Sequence, residues 1–486
     1  MKLLQIKTNN FLAVALMFLT LLFTSCDLEE LPENVNINDP KSLTELEQLL
    51  NSAYINLDWP LGGNAQLYAD INGDNIEGSS GINVDETEIY NRSTSFFNNT
   101  VRDNMYRGFY KIILDANVVL YFLQPEYLQS INIDPSNPRV QEMRGEALFL
   151  RGYMHFEVSR FMSHAPGYTV DNSHLGIPYR KDHTNPAGEL RGTVAENYAD
   201  MLTDLKEAES LLGTVNSKNQ YYANKAAVQS VLAKVFFQAG NSSDLETGKS
   251  NYDYAYDYAD AALTTSSAIF DTNLYESTNR FAGALDTNDN ITNTEMPNVE
   301  TIFGIISQFT GNTHGGTFRR YRSDQTIGNN TVRLMTDLYN SIPSTDKRRS
   351  LIDEIDGEYF LNKFNRSIFH VPLLHYTQIL LIRAEAAAET DNIGQAEIDL
   401  NLILDRAGLS TVSGMSKDQL IDLARSQRRI ELLGEGNRVN DLKRIGVNET
   451  SLTIRNSPWN CNGIIFQFPA TEVFTGFTQN PTGGCN

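Results

Sequence analysis

The stretch "ILLIRAEAAAETDNIGQAEIDLNLILDRAG", residues 379–408, restricts the fold more than any other part of the chain. Leu380, Ala384 and Ala387 recur at helical spacing on one face. After the "TDNIG" turn, Ala396, Leu400 and Ile403 do so on another. Ala384 and Ala396 are small enough for two antiparallel helices to pack closely, which is the tetratricopeptide pattern, a helix–turn–helix unit of about 34 residues. A second copy covers 224–264, with Ala233 on one helix and Ala255, Ala259 and Ala262 on the other. Its turn is stretched by "NSSDLETGKS". Weaker pairs join 143–162 to 195–212, where Tyr198, Leu202 and Leu205 form the apolar face, and 43–57 to 105–123. Such units bury their faces only against one another. The expectation is therefore a mainly α chain: one domain over 43–486, with a tetratricopeptide-like helical-pair scaffold. The pairs lie near 43–123, 143–212, 224–264 and 371–408.

Long irregular insertions separate these helices, at about 58–103, 164–192, 265–370 and 445–486. Loops of this length are usually functional or disordered. The embedded Trp59, Tyr68, Phe96, Phe97, Phe303, Phe318 and Tyr321 argue for order. "TIFGIISQFT", 301–310, reads as a buried strand.

The N-terminus has a different logic. Lys2 and Lys7 precede the apolar run "FLAVALMFLTLLF", 11–23, which is too short for the ~20 residues a spanning helix needs. Basic start, short apolar stretch and the small residues Thr24 and Ser25 describe a secretory signal over 1–25. Cys26 follows and is the expected site of lipidation, several acyl chains on one terminus giving a stable anchor. Residues 26–42 carry the modified cysteine and a polar, proline-containing tether. In an exported protein the remaining Cys461 and Cys485 suggest a disulfide.

Charge and motifs narrow the function. The chain carries a net charge of −21, and no basic patch stands out, so a nucleic-acid role is not expected. No G-x-S-x-G elbow, H-E-x-x-H helix or phosphate loop is present, and the seven histidines show no metal-ligand spacing. No cofactor, resident metal or catalytic group is expected. "DINGDN" places Asp70, Asn72 and Asp74 like the start of a calcium loop, but Asn75 and Gly81 stand where glycine and glutamate belong, so a polar turn is the reading. In "RRIELLGEGNRVNDLKR", Arg428 and Glu431, and Arg438 and Asp441, share helix faces. The run reads as a structural ion-pair network.

Several segments together resemble the SusD/RagB family of outer-membrane nutrient-uptake lipoproteins. They are "RGEALFLRGYMHFEVSRF" (144–161), "LLIRAEAAAET" (380–390), "DLNLILDRAGL" (399–409), "SQRRIELLGEGNRVNDLKRIG" (426–446) and "QFPATEVFTGFTQNP" (467–481). "SHAPGY" (163–168) replaces the family's usual Gly-Asp-Val-Pro turn, and the chain ends in "TGGCN". The resemblance implies a helical scaffold with a loop-rich face, lipid anchoring at Cys26 and exposure at the cell surface. It also implies a lid over a SusC-like TonB-dependent transporter, to which oligosaccharides, or in some members peptides, are passed. It places the ligand face on the insertions near 58–103 and 270–325. Sugar recognition needs aromatic faces and fixed polar groups. The candidates are Trp59, Tyr68, Asp70, Tyr90, Phe96, Phe97, Asn98, Tyr275, Phe318, Arg320 and Tyr321. Phe96 and Phe97 are neighbours, so one of the two is expected to be buried.

Overall fold

The computed structural model describes residues 39–77, 82–184, 189–219, 221–275, 280–281, 298–306, 317–324, 332–365, 369–474 and 476–485. The signal, Cys26 and most of the tether lie outside the described residues.

The chain is mainly helical, as the repeat pattern predicts. Its long helices are α1 (Leu43–Asn56), α2 (Asn64–Asn72), α3 (Arg107–Phe122), α4 (Pro138–Met162), α5 (Val194–Leu211), α6 (Lys225–Ala239), α7 (Asn251–Thr265), α8 (Tyr376–Glu389), α9 (Ile393–Arg406), α10 (Lys417–Glu431) and α11 (Arg438–Gly446). Polar caps set many of the starts. Thr193 with Glu196, Ser250 with Asp253 and Ser416 with Gln419 close reciprocal capping boxes at α5, α7 and α10. Each box satisfies amides that the first helical turn leaves without partners.

The helices pack in succession. α1 lies on α3, α3 on α4, α4 on α5, α5 on α6, α6 on α7, α7 on α8, and α8 on both α9 and α10. An inner helix therefore meets neighbours on several sides, and a single apolar stripe does not suffice. In α6 every residue from Ala226 to Ala239 is buried. Alanine at the contacts permits this: Ala384, Ala387, Ala396 and Leu400 share one cluster with Leu420 and Ala424.

Three small sheets accompany the helices among the described residues, and two of them bear on the loops. The antiparallel pair β2 (Thr301–Ile305) and β6 (Val371–His375) begins where the buried strand was expected, and residues 307–310 of that stretch lie outside the described residues. Phe303 on β2 meets Phe149 of α4 edge-on at 5.2 Å and so seats the strand on the scaffold. A four-stranded sheet runs in the order β1 (Ile76–Glu77), β3 (Arg333–Leu334), β5 (Glu358–Leu361), β4 (Ile352–Ile355). Near the C-terminus Cys461 is bonded to Cys485 across a Cα–Cα distance of 5.1 Å. No helix among the described residues is long and apolar enough to cross a membrane.

Candidate functional site

The "RRIELLGEGNRVNDLKR" run holds the scaffold to the loops, and it does so over long sequence distances. Glu431, at the end of α10, accepts from Arg348 at 3.2 Å, from Arg406 at 3.0 Å and from the Tyr275 hydroxyl. Glu435 accepts from Arg280 and Lys363, each at 3.0 Å, and pairs with the His375 ring at 2.9 Å. Burial by itself would push both carboxyls up. The surrounding cations overcome it, holding Glu431 at about 2 and Glu435 well below the usual carboxylate range. The network is real, but the local pairing expected from helix spacing is not. Arg428 bonds Asp441 rather than Glu431, and Arg438 forks onto Asp74 at 2.7 and 2.9 Å rather than onto Asp441. Glu431, Glu435 and Arg438 find their partners across the fold because these faces pack against it rather than against water.

This clamp positions the loop face. Gly436 has a φ of +70°, and a Cβ there would lie 2.6 Å from the Gln66 Cα, so the turn between α10 and α11 sits directly on α2. Asp74, just beyond α2, is fixed by Arg438. The "DINGDN" side chains are all committed to protein. Asp70 accepts from Tyr321 at 2.8 Å, Asn72 donates to the Ile464 carbonyl at 2.9 Å, and Asp74 holds its arginine.

Five of the expected ligand residues are buried. Phe318 lies 4.7 Å from Phe364 and 5.7 Å from Phe281, ring centre to ring centre, and Tyr321 lies 5.3 Å from Phe364. Both belong to an aromatic core that fills the space beneath the loops. Gly63, at φ +124°, makes room for it: a Cβ would meet the Phe318 ring at 3.0 Å. Tyr68 is buried with its hydroxyl bonded to Asn104, and Asp70 is buried beneath Tyr321. Asn98 caps a short helical turn, accepting from the Val101 amide at 2.9 Å and donating to Glu88 at 2.9 Å. Two more are engaged otherwise. The Arg455 guanidinium covers the Tyr90 ring at 3.8 Å, and Tyr275 is locked to Glu431 with Arg406 over its ring at 5.3 Å. Each of these seven is buried or already carries a protein partner on its ring or polar group. Long loops bury aromatics to pack themselves, and no periodicity marks which ones.

Burial has a cost at Asp70 that can be measured. Desolvation pushes its carboxyl from 3.8 up to about 7, against the Tyr321 hydrogen bond. Folding thus favours the protonated form, so stability falls as pH rises from about 4 towards 7 and levels off above. Asp70→Asn keeps an acceptor for Tyr321. It is expected to raise the urea midpoint at pH 8, by up to about 4 kcal/mol of stability, and to have almost no effect at pH 3. An equal effect at both pH values would contradict the assignment.

Three aromatics remain open. Phe96 and Phe97 are 42% and 68% exposed, with ring centres 4.2 Å apart. The expectation that one would be buried fails, because the two lie in a turn and not in a strand. Trp59 is 40% exposed, whereas its neighbour Pro60 is buried where a Cβ on Gly108 of α3 would meet it at 2.9 Å. Polar groups that the sequence did not single out stand beside Trp59. Asn64 donates to the Trp59 carbonyl at 2.8 Å and accepts from Thr317 at 3.0 Å. Asn104 donates to the Tyr68 hydroxyl at 2.8 Å. Arg320 pairs with both oxygens of Glu86 and remains half-buried. An amide every few residues within an aromatic insertion was the available signal. The Thr317, Asn64, Tyr68 and Asn104 side chains form a hydrogen-bonded chain that reaches the backbone carbonyl of the half-exposed Trp59. The arrangement contains no candidate nucleophile with an adjacent base, and no cluster of three or more metal-ligating side chains occurs among the described residues.

Comparison with known families decides the kinship. Residues 28–237 match a family described as starch-binding and associating with the outer membrane, and residues 343–482 match the SusD family. The chain belongs to the SusD/RagB family. Solved structures of this superfamily share the fold. One, from Bacteroides thetaiotaomicron, is 21% identical with a TM-score of 0.73, covering 90% of this chain and all of its own. A second, from Bacteroides fragilis, is 21% identical with a TM-score of 0.69, covering 89% of this chain and 97% of its own. A third, from Bacteroides vulgatus and described as a SusD-like carbohydrate binding protein, is 19% identical with a TM-score of 0.66, covering 83% of each chain. No curated protein matches the chain. The SusD/RagB kinship agrees with the mainly helical, tetratricopeptide-like scaffold and is one of binding proteins associated with the outer membrane.

Proposed function

We propose that this chain captures oligosaccharides at the face around Trp59 and passes them, without chemistry, to a SusC-like TonB-dependent transporter. In this reading the protein is held at the outer face of the outer membrane by a lipid on Cys26. The observation that carries it is the half-exposed Trp59, whose backbone carbonyl accepts from Asn64 at one end of the Asn64, Tyr68, Asn104 and Thr317 polar chain. Sugar rings have flat apolar faces edged by hydroxyls, and this surface is complementary to both. Because the polar groups are already bonded to one another, binding requires little ordering.

The test uses the unlipidated protein, residues 27–486, in affinity gels and titration calorimetry against neutral glycans. Trp59→Ala is expected to weaken binding at least about tenfold, the loss of about 1.4 kcal/mol typical of a central aromatic anchor. Phe97→Ala is expected to have a smaller effect. If no glycan binds while peptides do, the ligand is a peptide and this reading fails. In cells, Cys26→Ala is expected to release the protein from the membrane fraction. Cross-linking of the lipidated form is expected to capture a TonB-dependent barrel.

A further inference from the structure

A groove of about 550 Å³ opens far from Trp59, between the C-terminal end of α3, the middle of α4, α5, and Lys181, Asp182, His183 and Glu189. Its volume falls in the roughly 300–1,000 Å³ range of small-molecule sites. Pro60 meets α3 at Gly108, whereas the groove meets it at Leu120 and Tyr121. At 1.5 Å per residue the two places are about 20 Å apart along the helix. The groove is therefore not part of the loop face.

Its wall carries an aromatic pair. Tyr121 is 39% exposed, and the His183 ring stacks on it with centres 4.0 Å apart and planes 27° from parallel. The cations around the pair are all committed to carboxylates. Arg144, Arg151 and Lys181 line the groove together with Asp182, Glu189 and Glu207. Each cation already has a carboxylate: Arg144 has Glu207 at 2.8 Å, Arg151 has Asp204 at 2.6 Å, and Lys181 has Asp200 at 2.6 Å. A phosphate or acidic sugar would find no uncommitted cation among these three. Two hydrogen-bonding side chains remain open. The exposed Gln124 amide and the half-buried Glu189 carboxylate make no hydrogen bond to any described residue. Burial raises the Glu189 carboxyl above its ordinary value.

We propose that this groove is a second binding site for a neutral oligosaccharide, with the exposed edge of the Tyr121–His183 pair as the apolar surface and Gln124 and Glu189 holding hydroxyls. The proposal rests on the reading of the protein as a glycan binder, and it assigns the groove a contact independent of Trp59. Two sites on one chain would raise the retention of a long polysaccharide well above that of either site alone.

Calorimetry and saturation-transfer NMR with neutral hexaoses (malto-, cello-, xylo- and mannohexaose) on residues 27–486 test it. The wild-type protein is expected to take up two molecules, and Trp59→Ala and Tyr121→Ala one each. The double variant is expected to take up none. Tyr121→Ala is expected to weaken the second site at least about tenfold. Should that variant melt early, Gln124→Ala with Glu189→Gln replaces it, since both side chains lie outside the packed core. A single site that is lost in Trp59→Ala and unaffected by the groove variants would overturn the second site while leaving glycan capture intact. Absence of any hexaose binding would overturn both.

Discussion

Glu431→Ala should destabilise the protein by about 3–5 kcal/mol in urea denaturation, more than any other single charge removal described here. The carboxylate lies among Arg280, Arg348 and Arg406, all nearly fully buried. Deleting it leaves three guanidiniums confronting one another in a region that water does not reach. Asp346, Glu300 and Glu435 compensate only part of that charge, since Lys363 shares Glu435. Glu431→Gln should fall between wild type and alanine, because it preserves the acceptor and the volume but not the charge. Removing one cation should cost less: Arg348→Met leaves Arg406 and Arg280 on the same carboxylate. The exposed pair Lys249–Asp257 supplies the control, and Lys249→Ala should leave the urea midpoint unchanged. If Glu431→Ala behaved like Lys249→Ala, the network would not be the clamp described above. A loss of several kcal/mol without loss of glycan binding at low temperature would show that the motif acts on stability and not on recognition.

Reduction of the Cys461–Cys485 disulfide should cost about 3 kcal/mol, from a loop closed over a sequence separation of 24 residues. The effect should reach the loop face. The segment between the cysteines threads under the insertion at 85–98: the Ala470 amide donates to the Phe96 carbonyl at 2.9 Å, and the Gln467 amide to the Thr94 hydroxyl at 3.1 Å. Gln479 bonds the Phe468 amide and carbonyl at 2.9 and 2.8 Å, and Asn480 reaches the Met162 carbonyl at 2.8 Å. The family's Q-N-P ending is thus the tie that returns the chain to α4. Cys461→Ser with Cys485→Ser should lower the urea midpoint and raise hydrogen exchange at Ala470 and Gln467 above that of α6. Unchanged exchange at those amides would mean that the side-chain ties hold the segment without the covalent link.

Both predictions turn on residues whose sequence positions were readable and whose partners were not. Helix existence and pairing follow from local spacing. Ala384 and Ala396 are small for the same reason in the sequence and in the fold, because two helices pack closely there. The end of the "RRIELLGEGNRVNDLKR" run could be recognised as an ion-pair element because so many charges lie together. Its connectivity could not: Arg438 meets Asp74 from the far end of the chain, and Glu431 meets Arg348 and Arg280 from separate loops. Partner choice depends on which faces are desolvated, and that is settled only when the helices stack.

The loop face shows the same division. The sequence alone determined that this chain builds a helical-pair scaffold, that aromatic insertions interrupt it, and that its motifs are those of the SusD/RagB family. Helical periodicity and short motifs are local, and they survive in one dimension. Only the tertiary structure decided that Phe318 and Tyr321 fill a core, that Tyr90 lies beneath Arg455, and that Trp59, Phe96 and Phe97 stay open. An irregular loop has no repeating face that would assign each ring to the inside or the outside. That assignment follows from the space left between α2, the β1–β3–β5–β4 sheet and the turn after α10, and this space exists only once distant parts of the chain have met.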